Sequence, residues 1–392
     1  MRILQVSGVF CDRTGGGVGD HVCSLGRLLV ELGHEVDVIT YSRATPKRDH
    51  RGLVVHHVPL SSVPGFRYFQ WGQDANRFVR RLMSRFDYDI IHAHTTSMAF
   101  PLYYESSEPL VITSHGTSVD PVHGVLKRPV LARIERSYYK KAARVVAVSL
   151  SVKNELIRTG LPESLLTVIP NGTDSMRFHT AGSKESARAL LGLRTNEIAV
   201  LFVGAHTERK GFRILLDAIE KTLKQKVGPF RFFVVGTGPL RSRLQRLAAR
   251  LPQVCSMGFV SETTLADLYA ASDLFIFPSL YEGLPTVVLD ALGFGIPILG
   301  ADIPALREAL SPRCAVLVRP NDVDSLCNAL VRIASNPGIL ASMGKEAATL
   351  AVPFRWENLV QRVVRLYLEV LSNPVPRPGY IAESESSKGN LE

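Results

Sequence analysis

The chain has 392 residues, more than a single hydrophobic core usually serves, so two domains are expected. Hydrophobic residues make up 46% of it and charged residues 21%, which excludes a largely disordered or collagen-like chain. The net charge of +10 favours anionic partners such as nucleotides, phosphorylated substrates or anionic lipid.

In chain order, short runs rich in β-branched residues alternate with amphipathic helical stretches. This alternation is typical of βαβ units, which form a parallel sheet with helices on both faces. The pattern restarts after a polar stretch at 173–196. The predicted strands are 2–7, 35–40, 53–58, 89–94, 110–114, 144–149, 198–204, 231–236, 273–278 and 296–300. The predicted helices are 18–33, two that begin near Lys210 and Pro239, and 354–371.

We therefore predict an α/β fold of two doubly wound domains that face each other across a ligand cleft. The predicted domains are residues 1–172 and 173–353. A helix at 354–371 follows, and residues 372–392, rich in Pro, Ser, Gly and charge, are predicted to be a disordered tail.

The cysteines and the apolar runs favour a cytoplasmic protein. Five cysteines without a C-x-x-C pair argue against a zinc site or a disulfide framework and for a reducing compartment. No apolar run reaches the roughly 18 residues of a membrane span. The N-terminus reads as a buried strand rather than a signal peptide. Because zinc-finger, helix-turn-helix and RNA-binding signatures are missing, no nucleic-acid partner is expected.

Three glycines, Gly15, Gly16 and Gly17, separate the first strand from the first helix. Glycines there let a ligand approach the backbone, and amides at a helix start suit an anion or a hydroxyl-rich ligand. A plain tight turn is the alternative. The spacing is not G-x-G-x-x-G, and the second strand does not end in an acidic residue, which argues against a nicotinamide dehydrogenase.

Two cations, Arg209 and Lys210, follow the first strand of the second domain and precede a helix. Such a pair at a helix N-terminus can clamp a pyrophosphate, and a solvated pair of charges is the alternative. The next strand ends in a turn that begins at Gly236, which is a weak signal by itself.

The strongest motif is the run at 278–298. Glu282 lies in a loop after a strand, and Asp290 lies eight residues on, in the helix that Pro285 starts. Both carboxylates can point into one cleft, where they suit the hydroxyls of a sugar and a ribose. Helix capping or surface solvation is the alternative for either acid alone.

A histidine, His115, follows a strand end on the side of the expected cleft, where a binding or catalytic role competes with a purely structural one. Two basic segments, 76–86 and 127–144, are each compatible with an anionic membrane surface or with a solvated helix face. Asp87-Tyr88-Asp89 has the D-x-D pattern of metal-dependent sugar transferases, but it starts a strand, so it reads as structural. Asn171-Gly172-Thr173 reads as a turn.

These motifs together resemble the retaining glycosyltransferases of the GT-B fold, specifically the large family four. The resemblance runs from Met1 to about Leu371 and is specific for the family rather than for its substrates. Its carriers are the three glycines with GHEV (33–36), DIIHAH (89–94), SHGT (114–117), VIPNGTD (168–174), VGAHTERKGF (203–212), VVGTGP (234–239), MGFVS (257–261) and ASDLFIFPSLYEGLPTVVLDALGFGIPI (271–298).

The resemblance implies transfer of a sugar, with retention and usually without a metal, from a nucleotide-diphosphate sugar to an acceptor hydroxyl. It implies that the second domain binds the donor, the first domain binds the acceptor, and the final helix crosses back to the first domain. The implied catalytic residues are His115, Lys210 and Glu282. The implied donor site comprises Arg209, Lys210, Gly236, Phe259, Val260, Glu282, Gly283, Leu284, Pro285 and Asp290, with Gly15, Gly16 and Gly17 beside the pyrophosphate and acceptor.

The sequence departs from the family pattern at two positions. Ala205 stands where the family usually has arginine, and Asp290 is one methylene shorter than the usual glutamate, so its ribose contact is expected to be bridged by water. Arg209 is the candidate replacement for the missing cation.

Several functional alternatives remain open at this point. A UDP-sugar is the favoured donor and a GDP-sugar the next. The acceptor is expected in glycolipid, polysaccharide or glycan synthesis, with the protein cytoplasmic or peripheral at the inner face of a membrane. The alternatives are a soluble metabolite as acceptor, a catalytically degenerate scaffold subunit, and a nucleotide-sugar epimerase.

Overall fold

A parallel sheet forms the centre of each half of the chain in this computed structural model. The structure describes residues 1–10, 16–41, 52–58, 67–95, 108–117, 124–174 and 181–373. The strands of the first sheet are β1 (Arg2–Ser7), β2 (Glu35–Tyr41), β3 (Val54–Val58), β4 (Ile90–Thr95), β5 (Leu110–Ser114), β6 (Arg144–Ala147) and β7 (Leu166–Val168). Over the described ranges their order is β3-β2-β1-β4-β5-β6-β7.

The second sheet has the same parallel design. Its strands are β8 (Ile198–Val203), β9 (Phe230–Val235), β10 (Val254–Gly258), β11 (Leu274–Phe277), β12 (Ile298–Ala301) and β13 (Ala315–Val318). Their order is β10-β9-β8-β11-β12-β13. All six residues of β8, IAVLFV, are buried, because a central parallel strand is covered on both faces.

Helices connect the strands of both sheets. The helices of the first half are α1 (Gly16–Glu31), α2 (Arg67–Met83), α3 (Gly124–Tyr139) and α4 (Leu150–Arg158). Those of the second half are α5 (Lys184–Leu190), α6 (Phe212–Lys224), α7 (Arg241–Arg250), α8 (Glu262–Ala271), α9 (Thr286–Gly293), α10 (Pro304–Ala309), α11 (Val323–Ser335), α12 (Ile339–Ala351) and α13 (Trp356–Ser372). Short 3₁₀ turns lie at Glu163–Leu165 and Val352–Phe354.

The predicted fold class, two doubly wound parallel-sheet domains, is confirmed. The strands β7, β10 and β13 were not predicted. All three lie at sheet edges, where most of their residues stay partly exposed and the apolar pattern is weak. The strand predicted at 144–149 is shorter, because Ser149 caps α4 by accepting a hydrogen bond from the Val152 amide.

Each sheet has a topological switch point beside its first strand. In the first sheet β1 lies between β2 and β4, and in the second β8 lies between β9 and β11. Connections leave such a point towards opposite faces and open a crevice at the carboxyl ends of the strands. The crevices at the ends of β1 and β8 are therefore where this fold places ligands.

The last described helix, α13, returns to the first half of the molecule. Trp356, at its first turn, belongs to the same buried cluster as Val22 and Leu25 of α1. Thr173 and the segment before α13 cross side by side: the Thr173 amide donates to the Phe354 carbonyl at 2.8 Å, and the Trp356 amide donates to the Thr173 carbonyl at 3.2 Å. The predicted tail from residue 374 onward lies outside the described residues.

The cysteines depart from expectation at one position. Cys23 on α1 is disulfide-bonded, whereas Cys255, Cys314 and Cys327 are free thiols. The reducing compartment stays a prediction, because one disulfide does not show where a protein resides. Sequence spacing does not say which thiols the fold brings together.

Candidate active site

The predicted donor residues gather at the switch point of the second sheet. Arg209 and Lys210 follow β8, and Glu282 follows the neighbouring strand β11. The Lys210 Nζ donates to the Glu282 Oε1 at 2.6 Å, and the Arg209 Nη1 lies 3.9 Å from the Glu282 Oε2. The structure thus joins three of the predicted residues in one charged group.

Further hydrogen bonds fix the loop that carries Glu282. The Ser279 Oγ donates to the Glu282 Oε1 at 2.5 Å, and the Arg209 Nη1 donates to the Tyr281 carbonyl at 3.2 Å. The ammonium of Lys210 also lies 5.4 Å from the centre of the Phe277 ring. Both cations therefore help to position the loop that carries Glu282.

Burial and charge act in opposite directions on the Glu282 carboxyl. Burial raises its pKa, but the charges of Lys210 and Arg209 and the hydrogen bonds from Lys210 and Ser279 hold the pKa below its ordinary value. The side chain is therefore an ionised carboxylate at neutral pH, held almost out of contact with bulk water.

Asp290 lies on α9 and is buried at 2% exposure. Its Oδ1 accepts a hydrogen bond from the Thr173 hydroxyl at 2.5 Å, where the chain passes from the first half to the second. Asp290 thus binds the segment that links the two halves of the chain. Its contact with a ribose stays a prediction.

The loop at Gly283, Leu284 and Pro285 meets the first half of the molecule. A Cβ at Gly283 would lie 2.3 Å from the His115 carbonyl oxygen, so only glycine permits this approach. The Leu284 carbonyl accepts a hydrogen bond from the Asn171 Nδ2 at 2.7 Å. Pro285 is the N-cap residue of α9. Because Gly283 touches His115, the segments that carry His115 and Glu282 are in contact across the cleft.

The glycine segment before α1 reaches the same place from the first sheet. A Cβ at Gly17 would lie 2.6 Å from the Thr286 Oγ1, at the first turn of α9. Gly16 has a positive φ of 53°, and a Cβ there would meet no described atom within 4 Å. Gly15 lies outside the described residues.

The remaining predicted donor residues lie away from Glu282, towards the edge of the second sheet. Gly236 follows β9, where a Cβ would lie 2.0 Å from the Gly204 carbonyl oxygen. Phe259 and Val260 follow the edge strand β10, and the Phe259 ring is 63% exposed. Ala205, at the end of β8, is exposed as well.

Histidines gather at the carboxyl edge of the first sheet, although the sequence analysis selected His115 alone. The His21 ring centre lies 4.6 Å from that of His115 and 5.2 Å from that of His94. Burial lowers the pKa of His115 to about 3 and holds the pKa of His21 and His94 well below the ordinary value, with neighbouring histidine charges acting in the same direction on the latter two. All three imidazoles are therefore neutral at pH 7.

Asn171 is another residue that the sequence analysis missed. It was interpreted as a simple turn, but it is buried, and its Oδ1 lies 3.0 Å from the His21 Nδ1 while its Nδ2 donates to Leu284. Residues 150 positions apart meet in the first of these bonds. The only signals available beforehand were His21 in DHV (20–22), His94 at a strand end in DIIHAH, and the NGT motif itself.

Two further polar contacts join the halves of the molecule. The Tyr281 hydroxyl donates to the Glu155 Oε2 at 2.7 Å and lies 3.0 Å from the Thr117 Oγ1. The Glu308 carboxylate accepts hydrogen bonds from the amides of Leu150 and Ser151, at 2.6 and 3.0 Å, and so caps the N-terminus of α4. Both contacts link side chains of the second half to the first half across the cleft.

The two basic segments differ in what their apolar residues do. On α2, Val79 and Leu82 are buried in the core of the first half. On α3, Val130 and Ile134 are 62% and 42% exposed, next to the exposed Arg133. In the described part of the chain, no helix is both long and apolar enough to cross a membrane.

The D-x-D tripeptide takes part in packing at the opposite edge of the first sheet from the cleft. The Tyr88 hydroxyl donates to the Asp37 Oδ2 at 2.9 Å, and the Asp89 Oδ2 accepts from the Arg2 amide at 2.7 Å. These bonds tie the start of β4 to β1 and β2, which agrees with the structural interpretation.

The two halves of the chain match two family models. Residues 15–177 match Glycosyltransferase Family 4, and residues 197–336 match Glycosyl transferases group 1. Together the matches cover more than three quarters of the chain. They fall on the two halves that carry the two sheets.

Similar proteins cover almost the whole chain. An uncharacterised glycosyltransferase of Methanocaldococcus jannaschii is 28% identical over 94% of this chain and 98% of its own. The phosphatidyl-myo-inositol mannosyltransferase of Mycolicibacterium smegmatis is 28% identical over 90% of either chain. An Anabaena protein solved in complex with UDP and glucose has a TM-score of 0.76 at 20% identity, over 94% of this chain and 100% of its own. The chain therefore belongs to glycosyltransferase family 4 and is a glycosyltransferase with the GT-B fold.

Proposed function

We propose that this protein transfers a sugar, with retention and without a metal, from a nucleotide-diphosphate sugar to an acceptor hydroxyl. The observation that carries the proposal is the ion pair of Lys210 and Glu282 at the switch point of the second sheet. The neighbouring residue, Gly283, touches the His115 loop of the first half. Groups suited to a diphosphate, a sugar and an acceptor thus converge on one cleft.

The donor would lie along the carboxyl edge of the second sheet. Phe259 and Val260 would hold the base at strand β10, two strands from β8, and strands are about 4.8 Å apart. That span of about 10 Å suits a ribose and a diphosphate. Asp290 would hold the ribose through water. A UDP-sugar is the first candidate, supported by the neighbour solved with UDP and glucose, and a GDP-sugar is the next.

The chemistry proposed for this site is electrostatic. As the bond to the sugar breaks, the leaving diphosphate gains negative charge, which Lys210, Arg209 and the amides at Gly283 and Leu284 would stabilise. Glu282, held as a carboxylate, would face the positive charge that develops on the sugar. His115 would contact the sugar near the reacting carbon, and the acceptor would attack from the face that the diphosphate leaves. The two cations take the place of a metal ion.

The donor site can be tested by calorimetric titration of UDP, GDP and ADP in EDTA. Selective binding of one nucleotide supports the proposed donor site. Proton NMR that finds the same anomeric configuration in the donor sugar and in the product supports retention. If none of the three nucleotides binds, the result would favour the alternative of a catalytically degenerate scaffold subunit. That alternative is suggested by Ala205 and Asp290, the two departures from the family pattern. An inverted product would contradict retention, and a new nucleotide-sugar formed without an acceptor would identify an epimerase.

For the acceptor, we propose a glycolipid or a growing glycan at the cytoplasmic face of a membrane, with a soluble metabolite as the alternative. The exposed Val130 and Ile134 beside Arg133 on α3 support this choice. So does the name of the mannosyltransferase relative, which acts on phosphatidyl-myo-inositol. Basic helices with exposed apolar residues bind anionic lipid surfaces.

Sedimentation with liposomes tests the membrane proposal. The wild type should bind anionic liposomes at low salt, and the double variant Val130→Ser/Ile134→Ser should bind at least about 10-fold more weakly. The matched control is Leu190→Ser, a 72% exposed leucine of α5 in the second half. Equal binding by the double variant, or none by the wild type, would favour the soluble acceptor.

A further inference from the structure

Three imidazoles meet at the carboxyl edge of the first sheet. His21 comes from α1, His94 from the end of β4, and His115 from the segment after β5. One ring nitrogen from each residue lies within 4.8 Å of those of the other two. His21 and His94 are buried, and His115 is half-buried.

Not every ring nitrogen of this cluster has a protein partner. Among the described residues, both nitrogens of His94 are buried without a hydrogen-bond partner. Those of His115 are buried as well, and the Asn171 side chain is their hydrogen-bonding neighbour. A buried polar group without a partner is unfavourable, so a bound ion or an ordered water is expected there. The adjacent His92 makes a useful contrast, because Tyr367 and Thr113 satisfy both of its nitrogens.

Asn171 sets the tautomer of His21. Its Nδ2 is committed to the Leu284 carbonyl, so its Oδ1 accepts a hydrogen from the His21 Nδ1 at 3.0 Å. The lone pair of His21 is then on Nε2. An outer partner that holds one imidazole nitrogen while the other stays available is the usual support of a metal-binding histidine.

His115 lies on the less buried side of the cluster. Its side chain is half-buried, whereas those of His21 and His94 are buried.

We propose that His21, His94 and His115 bind one divalent transition-metal ion of the zinc type, and that this ion is an inhibitor that competes with the sugar for the cleft. Three imidazoles are a zinc ligand set that leaves a fourth position for water. With metal–nitrogen distances of 2.0–2.1 Å, tetrahedral ligand atoms are about 3.4 Å apart. The ring nitrogens, which lie within 4.8 Å of one another, therefore approach by up to about 1.4 Å when the ion binds. The binding of the ion rests on the histidine geometry alone, and the competition rests on the proposed function.

Metal binding is tested on the full chain freed of metal. Calorimetry with Zn²⁺ should give one site, and Co²⁺ should produce the intense visible absorption of a tetrahedral complex. The variants His94→Gln and His115→Gln should each lose at least about 100-fold in affinity. His34→Gln, outside the cluster and beside the amino group of Met1, should bind as the wild type does. Circular dichroism shows whether each variant has folded. If one of the two has not, the Zn²⁺ affinity of the other tests the proposal.

Two results would overturn the inference: no stoichiometric Zn²⁺ binding by the wild type, or full affinity in both cluster variants. Competition is measured separately, as a rise in the apparent Kd of the nucleotide-sugar with added Zn²⁺ and its return with EDTA. If Zn²⁺ binds as expected but no donor does, the metal site stands and the proposed function fails. If both bind without affecting each other, the inhibitory role fails.

Discussion

At Glu282, nearby positive charge outweighs the cost of burying a carboxylate. Lys210 and Arg209 supply the charge, and Ser279 adds a hydrogen bond to the same oxygen that Lys210 contacts. Removing the charge while keeping the shape should isolate its effect. We expect Glu282→Gln to lower kcat by about 10²–10³, the scale for loss of one positioned electrostatic contact.

Steady-state kinetics with the donor identified by calorimetry measure this loss. Glu163→Gln is the control, because its exposed carboxylate pairs with Lys153 within the first half. A Glu282→Gln enzyme with wild-type kcat would show that the carboxylate does not act in the transition state.

The same carboxylate should make stability depend on pH. Because the pKa of Glu282 is lower in the folded state than its ordinary value of 4.5, its contribution is complete above that value and is lost as the pH falls through the folded pKa. The difference in unfolding free energy between wild type and Glu282→Gln should stay constant between about pH 7 and 5, then shrink. Urea unfolding at several pH values measures it, and a difference that grows on acidification would mean that the folded pKa is raised.

Glu282, Lys210 and Arg209 could be predicted from the sequence because their motifs are local and follow strand ends. The contacts of Asn171 could not, because its partners lie 150 positions before it and 113 after it. Asp290 shows the same limit. Its position eight residues after Glu282 was readable, but its bond to Thr173 arises only from the meeting of the two halves.

At the scale of elements, α10 of the second half is joined to the N-terminus of α4 in the first. The Glu308 carboxylate accepts two amide hydrogen bonds there and faces the positive end of the helix. Because the contact joins the two halves, opening of the cleft would break it. Glu308→Gln weakens it without removing bulk, so we expect the open form to gain by about 2- to 5-fold.

Distance measurements between labels on the two halves detect that shift, and the KM for the donor should rise with little change in unfolding. Glu163→Gln is again the matched control, since it alters a carboxylate that contacts α4 from within the first half. An unchanged distance distribution in Glu308→Gln would show that this cap does not hold the halves together.

Strands that are buried along almost their whole length were predicted well, as were β1, β8 and β9. The edge strands β7 and β13 were missed, because their partly exposed residues give a weaker apolar pattern. Their pairing with β6 and β12 is decided by the sheet that receives them.

For the whole molecule, closure depends on a glycine that faces a threonine across the cleft. An alanine Cβ at position 17 would lie 2.6 Å from the Thr286 Oγ1, but it would suit α1 itself. Gly17→Ala should therefore obstruct the closed form and spare the fold. We expect kcat/KM to fall about 10- to 100-fold, with nearly unchanged unfolding.

Small-angle scattering should show that donor binding compacts the wild type but not Gly17→Ala. The double variant Gly17→Ala/Thr286→Ala removes the obstructing oxygen and should recover compaction. A Gly17→Ala protein that compacts and turns over normally would contradict closure as the gate. A double variant that stays open would place the defect elsewhere.

The crossing of Thr173 beside Phe354 and Trp356 also sets an order of events during synthesis. Residues 181–351, with the whole second sheet, leave the ribosome before Trp356, Leu359 and Tyr367 can fill the core beside α1. Domains usually complete their folding from the N-terminus as they emerge. In this protein the core of the first half is complete only after α13 has been synthesised. The second half should therefore be the first to reach its final structure.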